Sequence, residues 1–327
     1  MMHRVLVTTI TRECAVHETS GYLYVVDVDD AIVLARCPMV EAPLRELDPN
    51  PRGGMRGGRG VAVDGDEIYI ANFSAVYRFD AQWRCLNVLS HPACADVHDI
   101  AVHDGFVWVT STRNDLLFQF HPDGRLVDCL NVRTLEPVQE LMEQVQSPLV
   151  HESWMQHADL RDPRSHSSFM GDGTHLNGIA FDPAGRMVLS LGRIEANGQS
   201  HSMLVSRSGA AGWDSLIFDD ADVPRHNVAL SDGYMIHNDT PSGEIVLIDA
   251  IDGTERERIA VGDRYLRGLM QLDDGRLVVG AQNELVIVAL HDAETPVTIR
   301  LSSDPRESVH SIAELPAEVG LPPVALT

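Results

Sequence analysis

One short pattern recurs six times along the chain and constrains the fold more than any other feature. Each copy begins with a polar residue and a short apolar run, and five continue through tight-turn residues into a second apolar run, as in a β-hairpin. The clearest copy is THLNGIAFDPAGRMVLSLG, residues 174–192. The residues that directly precede the apolar run in the six copies are Arg59, His98, Asn177, His226, Arg267 and His310.

The spacing of these copies predicts the architecture. Successive aligned residues lie 39, 79, 49, 41 and 43 positions apart, and the longest step contains residues 131–173, which fit no strand pattern. A period of about 40–45 residues with roughly four strands per unit is typical of β-propeller blades. We therefore predict an all-β fold, a six-bladed β-propeller that occupies residues 1–327 as a single domain.

The two ends of the chain complete one blade in this prediction. The sixth copy has a first strand at 309–314 and no second strand, whereas residues 3–37 read as three strands without a first. Strands from head and tail would then share one blade, which closes the ring and removes an open sheet edge. The predicted blades are residues 59–90, 98–131, 177–218, 226–260 and 267–301, with 309–314 and 3–37 forming the sixth.

The insertion at about 131–173 differs from the blades. Residues 135–146 repeat apolar side chains near the helical period, which predicts a short amphipathic helix. Because long loops within compact domains are commonly lids or binding loops, we expect the insertion to cover the face where the first strands begin. Polar and aromatic residues follow the helix at His151, Glu152, Trp154, His157 and His166. The Gly- and Arg-rich segment 37–59 is interpreted as a flexible surface connection.

Composition excludes several classes of function. The net charge of −23 argues against nucleic acid and anionic membranes as partners. All 25 basic residues are arginine, which excludes a Schiff-base lysine, pyridoxal phosphate and a P-loop, and the absence of GxGxxG argues against a nucleotide cofactor. Five cysteines without a CxxC pair, and a head that reads as a strand, predict a cytoplasmic protein with reduced thiols. The oligomeric state is left open.

The aligned position predicts a metal site. First strands line the channel of a propeller, so the six aligned side chains should face one axis. His98, His226 and His310 come from alternate blades about 120° apart, and three neutral imidazoles with one open position are typical of catalytic zinc. Iron, cobalt and copper also suit such ligands. His175, two residues before Asn177, is the spare or fourth candidate ligand.

The three remaining aligned residues predict an anionic substrate. Arg59 and Arg267 would repel a metal ion unless an anion lay between them, and guanidiniums bind carboxylates and phosphates in a bidentate manner. Arg59, Asn177 and Arg267 are therefore candidate binding residues for a small acidic molecule. Tyr265 and Arg267 are candidate catalytic residues, since nearby positive charge favours a phenolate.

Other residues near the aligned position receive weaker assignments. Asp96, Glu307 and His175 are further candidates for proton transfer. Asp99 follows His98 directly and should point away from the channel, in a structural role. The histidines interpreted as turn or rim residues are His103, His121 and His237.

The segments around the aligned residues resemble a known family. A poorly characterised bacterial family of six-bladed propellers has segments similar to VHDIAV, HLNGIAFDPAGR, PRHNVAL and YLRGL. More distantly the chain is similar to gluconolactonase/regucalcin, strictosidine synthase and NHL-repeat propellers, and the first of these implies that Asn177 helps to hold a divalent metal. The acidic ligands of the gluconolactonases are replaced here by His and Arg. Peptidylglycine amidating lyase, with a three-His zinc in its channel, is closer in chemistry.

The sequence therefore favours a metal-dependent enzyme that acts on a small anionic substrate in the channel. Zinc is the first choice of metal, with iron, cobalt or copper as alternatives. Lyase, hydrolase and metal–oxygen chemistry all remain open. Two other hypotheses are a non-catalytic propeller that binds a ligand or protein, and a gluconolactonase-like hydrolase with another ligand set.

Overall fold

The ring of blades is present in the computed structural model, which describes residues 3–48, 55–144, 159–168, 173–196, 199–209, 212–220, 224–231, 233–290 and 295–326. In these ranges, 24 strands form six antiparallel sheets of four strands each, and first strands of neighbouring sheets contact one another around a channel. The predicted six-bladed β-propeller is therefore confirmed.

The strands follow the predicted blades closely. Blade 1 contains β4 (Val61–Asp64), β5 (Glu67–Ala71), β6 (Ala75–Phe79) and β7 (Cys85–Ser90). Blade 2 contains β8 (Val97–His103), β9 (Phe106–Ser111), β10 (Leu116–Phe120) and β11 (Leu126–Asn131). Blade 3 contains β12 (Leu176–Phe181), β13 (Met187–Ala196), β14 (Gln199–Arg207) and β15 (Trp213–Asp220).

The other three blades also contain four strands each. Blade 4 contains β16 (His226–Ser231), β17 (Tyr234–Asp239), β18 (Glu244–Asp249) and β19 (Glu255–Ala260). Blade 5 contains β20 (Leu266–Gln271), β21 (Arg276–Ala281), β22 (Glu284–Ala289) and β23 (Val297–Arg300). Blade 6 contains β24 (Glu307–Glu314), β1 (Arg4–Thr11), β2 (Tyr22–Asp27) and β3 (Ile32–Pro38).

The two ends of the chain close the ring as predicted. β24 pairs antiparallel with β1, from Val5 opposite Glu314 to Thr11 opposite Glu307. Without β24, the edge of β1 that faces the channel would have no pairing partner. The closure therefore satisfies the backbone hydrogen bonds of β1 and removes an exposed sheet edge.

The core lies between neighbouring blades. Alternating apolar residues of one sheet pack against those of the next, because each strand presents successive side chains to opposite faces. Blade 6, for example, buries Val5, Tyr24 and Val309 against Leu285 and Ile287 of blade 5. Such contacts repeat around the ring and hold the first strands at a fixed distance from the axis.

The insertion contains the predicted helix. Helix α1 spans Glu136–Gln144, and its Val138 and Leu141 are buried against Leu176 and Leu191 of blade 3. The amphipathic pattern is therefore explained by packing on the ring. His151, Glu152, Trp154 and His157 lie outside the described residues, as does the side chain of His166. The covering role of the insertion stays a prediction.

The cysteines are distributed between core and surface. All five cysteines are free; Cys14, Cys37 and Cys94 are buried, and Cys85 and Cys129 are exposed. Within the described ranges, no helix is long and apolar enough to cross a membrane.

Candidate functional site

A β-bulge marks the aligned position in most first strands. In five of the six described first strands the pairing register shifts at or beside the aligned residue. A bulge of this kind bends the strand and re-aims a side chain, and bulges are common next to active sites. The residues that lie at these shifts are His310 in β24, Asn177 in β12, Asn227 in β16, His98 with Asp99 in β8, and Arg267 with Gly268 in β20.

All six aligned side chains are buried in the ring. Their exposed fractions run from 1% for Asn177 and His310 to 8% for Arg267. Polar groups this deeply buried are costly unless they bind one another or a ligand. The aligned position is therefore a candidate ligand-binding site.

The residue that follows the aligned position alternates around the ring. After the histidines it is Asp99, Asn227 and Ser311, and after the other three residues it is Gly60, Gly178 and Gly268. Each polar residue accepts a backbone N–H from the first strand of the next blade. These bonds are Ile179 N to Asp99 Oδ2 at 3.3 Å, Gly268 N to Asn227 Oδ1 at 2.7 Å, and Val61 N to Ser311 Oγ at 3.2 Å.

The glycines allow close approach at the three other blade boundaries. A β-carbon on Gly60 would lie 2.8 Å from the backbone nitrogen of Ile100, and one on Gly178 would lie 3.2 Å from the backbone of Asn227. The alternation defines a repeat of two blades, which we call the blade pair. Asp99 is thus structural, as expected, and burial raises its pKa to about 7.

Three histidines converge in the channel. The candidate ligand atoms of His98, His175 and His226 all lie within 4.8 Å of one another. Ring centroids are 5.0 Å apart for His98 and His175, 5.7 Å for His175 and His226, and 6.3 Å for His98 and His226. Nitrogens around one zinc lie about 3.4 Å apart, since Zn–N bonds are about 2.0–2.1 Å.

Hydrogen bonds orient two of these rings. His98 Nδ1 lies 2.9 Å from the carbonyl oxygen of Asp96, which can only accept, so Nδ1 carries the proton and Nε2 keeps its lone pair. His226 Nδ1 lies 2.9 Å from Thr240 Oγ1, which accepts in the same way when Nδ1 is protonated. Such partners commonly fix the tautomer of metal-binding histidines.

Burial keeps the same two rings neutral. Burial first, and the charge of Arg267 second, hold the pKa of His98 and of His226 well below the ordinary value. A neutral imidazole is the form that binds a metal ion.

His310 lies beside this cluster and has another partner. Its ring is 5.5 Å from that of His98, but its Nε2 is 3.5 Å from Arg59 Nη1. Because a guanidinium can only donate, His310 Nε2 accepts and Nδ1 carries the proton. Among the described residues Nδ1 has no hydrogen-bond partner. The structure therefore groups His175 with His98 and His226 and places His310 beside them, in contact with Arg59.

The two channel arginines have different surroundings. Arg59 pairs with Asp96 at 3.0 Å between Nη2 and Oδ1. In the part of the chain that the structure describes, the guanidinium of Arg267 has neither an ion pair nor a hydrogen bond, and its Nη2 is fully enclosed. Burial lowers the pKa of Arg267 to about 10, and Arg59 and Arg12 act in the same direction.

Asn177 is anchored to the neighbouring blade. Its Nδ2 donates to the carbonyl oxygen of Arg225, directly before β16 of blade 4. Its Oδ1 is buried and has no partner among the described residues. One end of the amide is thus structural, and only Oδ1 remains for a ligand.

The proton-transfer candidates separate in space. The Tyr265 ring lies 5.7 Å from that of His226, next to the histidine cluster. Glu307 instead accepts hydrogen bonds from Thr9 Oγ1 and Tyr24 Oη within blade 6, each at 2.7 Å. Tyr265 therefore remains close to the site, and Glu307 belongs to the ring closure.

Sequence reasoning missed several residues around the channel. Arg12 lies over the Tyr265 ring at 4.9 Å, and Thr240 orients His226. Arg12 lies after β1 and Thr240 lies directly after β17, both outside the first-strand pattern, so that pattern does not mark them. Arg113, directly after β9, acts with Arg59 to lower the pKa of Asp96 in spite of its burial.

Two sequence interpretations need correction. Arg56 lies in the segment interpreted as a surface connection, yet it is only partly exposed, and burial and the charge of Arg59 lower its pKa to about 10. His237 was expected in a turn or rim; it is 1% exposed within β17, because the turn begins after Asp239. His103, stacked on Phe181 at the end of β8, and the half-exposed His121 fit the expectation.

The fold and the channel define the class of protein. It is a six-bladed β-propeller with a buried cluster of histidine and arginine side chains at its axis. A scan against protein-family models gives no match, and neither does a search of the curated proteins.

Solved structures of other propellers are similar in fold. A protein of unknown function from Bacteroides caccae is 11% identical, with a TM-score of 0.56 over 96% of this chain and 99% of that one. A chain of a nidogen/laminin complex is 10% identical, with a TM-score of 0.62 over 96% and 98%. A streptogramin B lyase is 12% identical, with a TM-score of 0.49 over 77% and 71%. The resemblance to six-bladed propellers is confirmed, and at these identities it concerns the fold alone.

Proposed function

We propose that this protein is a metal-dependent enzyme that acts on a small anionic substrate in its channel. One observation carries the proposal: candidate ligand atoms of His98, His175 and His226 lie within 4.8 Å of one another. The hydrogen bonds that orient His98 and His226, and their lowered pKa values, support it. Three imidazole nitrogen ligands favour zinc, with iron, cobalt or copper as alternatives.

The residues around the cluster have roles in this proposal. The metal, when bound, supplies a Lewis acid or an activated water or oxygen. The carbonyl of Asp96 and the hydroxyl of Thr240 hold the imidazoles in the tautomer that presents Nε2. Arg267 binds an acidic group of the substrate, and Tyr265 beside it exchanges a proton with the substrate. This arrangement serves lyase, hydrolase and metal–oxygen reactions alike.

Metal analysis of the purified protein tests the proposal. We expect about one zinc, iron, cobalt or copper ion per chain, and loss of that ion in the double variant His98→Ala/His226→Ala, because two of its three ligands are gone. His175→Ala should also lose the ion. His310→Ala should keep it, since His310 binds Arg59 instead.

His103→Ala is the matched control, because His103 stacks on Phe181 away from the cluster and should keep the ion. A wild-type protein that holds no metal after loading with each of the four ions and desalting would contradict the proposal. That result would favour a propeller that binds a ligand without catalysis.

A further inference from the structure

The channel carries more positive than negative charge near its histidines. Arg59 has a carboxylate partner in Asp96, and the pKa of that carboxyl is held down by Arg59 and Arg113 in spite of burial. Asp96 is thus paired directly with Arg59, and it forms no ion pair with Arg267 in the described structure. Its charge raises the pKa of Arg267 but does not offset the larger effect of burial.

The guanidinium of Arg267 has no partner in the described structure. It is 8% exposed, and its guanidinium forms no ion pair or hydrogen bond there. Its charge also acts more strongly than any other on the pKa of His98, His226 and His310. A buried cation in this position is stable only when an anion binds it.

Arg12 is the second cation without an ion pair among the described residues. Its guanidinium lies 4.9 Å from the centre of the Tyr265 ring, and the His226 ring lies 5.7 Å from that same ring. Arg12 is exposed to solvent, and its stacking on Tyr265 keeps it beside the channel. The pKa of Arg267 also responds to Arg12, so the two guanidiniums belong to one electrostatic site.

We propose that the channel binds a substrate with two negative charges, and that Arg267 and Arg12 hold the acid group that the histidine cluster does not. A single carboxylate reaches either the two arginines or the histidine cluster. A dianion places one acid group on Arg267 and Arg12 and the other at the cluster. This inference rests on the proposed function for the choice of site, but it concerns the arginine side of the channel.

Calorimetric titration of the full-length protein tests the inference. L-Malate and L-lactate, titrated at equal ionic strength, differ mainly by one carboxylate. We expect malate to bind at least tenfold more tightly than lactate. Arg267→Met should weaken malate binding at least tenfold, so that malate and lactate bind with nearly equal affinity. Arg12→Met should reduce the preference for malate over lactate several-fold. Arg84→Met, whose side chain is 75% exposed and bound to Asp80, is the control and should change nothing.

The experiment separates this inference from the metal proposal. Equal binding of malate and lactate by the wild type, or a full malate preference in both Arg267→Met and Arg12→Met, would overturn the inference. A malate preference in protein that binds no metal supports the inference and contradicts the metal proposal. Sulfate distinguishes the type of dianion: binding as tight as malate indicates a phosphate-like group, and weaker binding indicates a dicarboxylate.

Discussion

Arg267 and Arg59 occupy the same position in blades 5 and 1 but should have opposite effects on stability. Arg267→Met removes a buried charge without a described partner, so we expect the free energy of unfolding to rise by about 1–3 kcal/mol. Arg59→Met leaves Asp96 without its ion pair, so we expect a loss of about 1–3 kcal/mol, reduced because Asp96 is 24% exposed. Urea unfolding of the ligand-free protein measures both changes. Destabilisation by Arg267→Met equal to that by Arg59→Met would contradict this account.

The sequence predicts the identity of the site residues better than their partners. The aligned position alone predicted that His98, His226, Arg59 and Arg267 would be buried together. It could not assign the third histidine. His175 reaches the cluster through a left-handed backbone at φ +52°, and His310 is engaged by Arg59 from the next blade. Both effects depend on contacts across the ring and have no signal in one repeat.

At the scale of elements, His3 ties the first strand to a neighbouring blade. Its Nε2 lies 2.7 Å from Asp273 in the hairpin turn of blade 5, and its Nδ1 lies 3.1 Å from Asp29. The Asp273 hydrogen bond, assisted by Asp29, raises the pKa of His3 above its ordinary value of 6.5 despite the opposing effect of burial. Protonated His3 therefore joins β1 to blade 5.

This contact predicts a pH dependence of stability. Because the folded-state pKa is raised, the contribution of His3 is complete below pH 6.5, the value of the unfolded chain, and is lost as pH rises through the folded-state pKa. We expect the free energy of unfolding of the wild type to exceed that of His3→Gln by about 1 kcal/mol below pH 6 and by less at pH 9. The difference is modest because Asp273 is 62% exposed. Urea unfolding across this range measures the difference. A constant difference would indicate that the charge of His3 is unimportant.

At this scale, elements with a regular local sequence pattern were predicted well. Strands and α1 were predicted within a few residues, because alternation and the helical period are local. The bulges and the bonds from Asp99, Asn227 and Ser311 were not predicted. They depend on which residue of the next blade lies opposite, and this is decided by the ring.

At the scale of the whole molecule, stability should depend on closure by β24. Removal of residues 307–327 would leave β1 with an unpaired edge and uncover the core around Val5 and Val7. We expect this variant to aggregate and to lose cooperative unfolding. Size-exclusion chromatography and urea unfolding measure these effects. The control is a truncation after Gly320, which keeps β24 and should lower the free energy of unfolding by about 1 kcal/mol or less. A variant that lacks β24 and is still a folded monomer would contradict the role of β24 in closure.

The blade pair also decides how many ways a small molecule can lie in the channel. Three identical blade pairs would offer a bound molecule three equivalent orientations, each turned by a third of a circle. The extra histidine of blade 3 and the arginine that engages His310 make the three sectors unequal. A bound molecule would then have one preferred orientation, in which each of its groups meets the same side chain. A ring with this asymmetry can distinguish mirror-image forms of a small molecule.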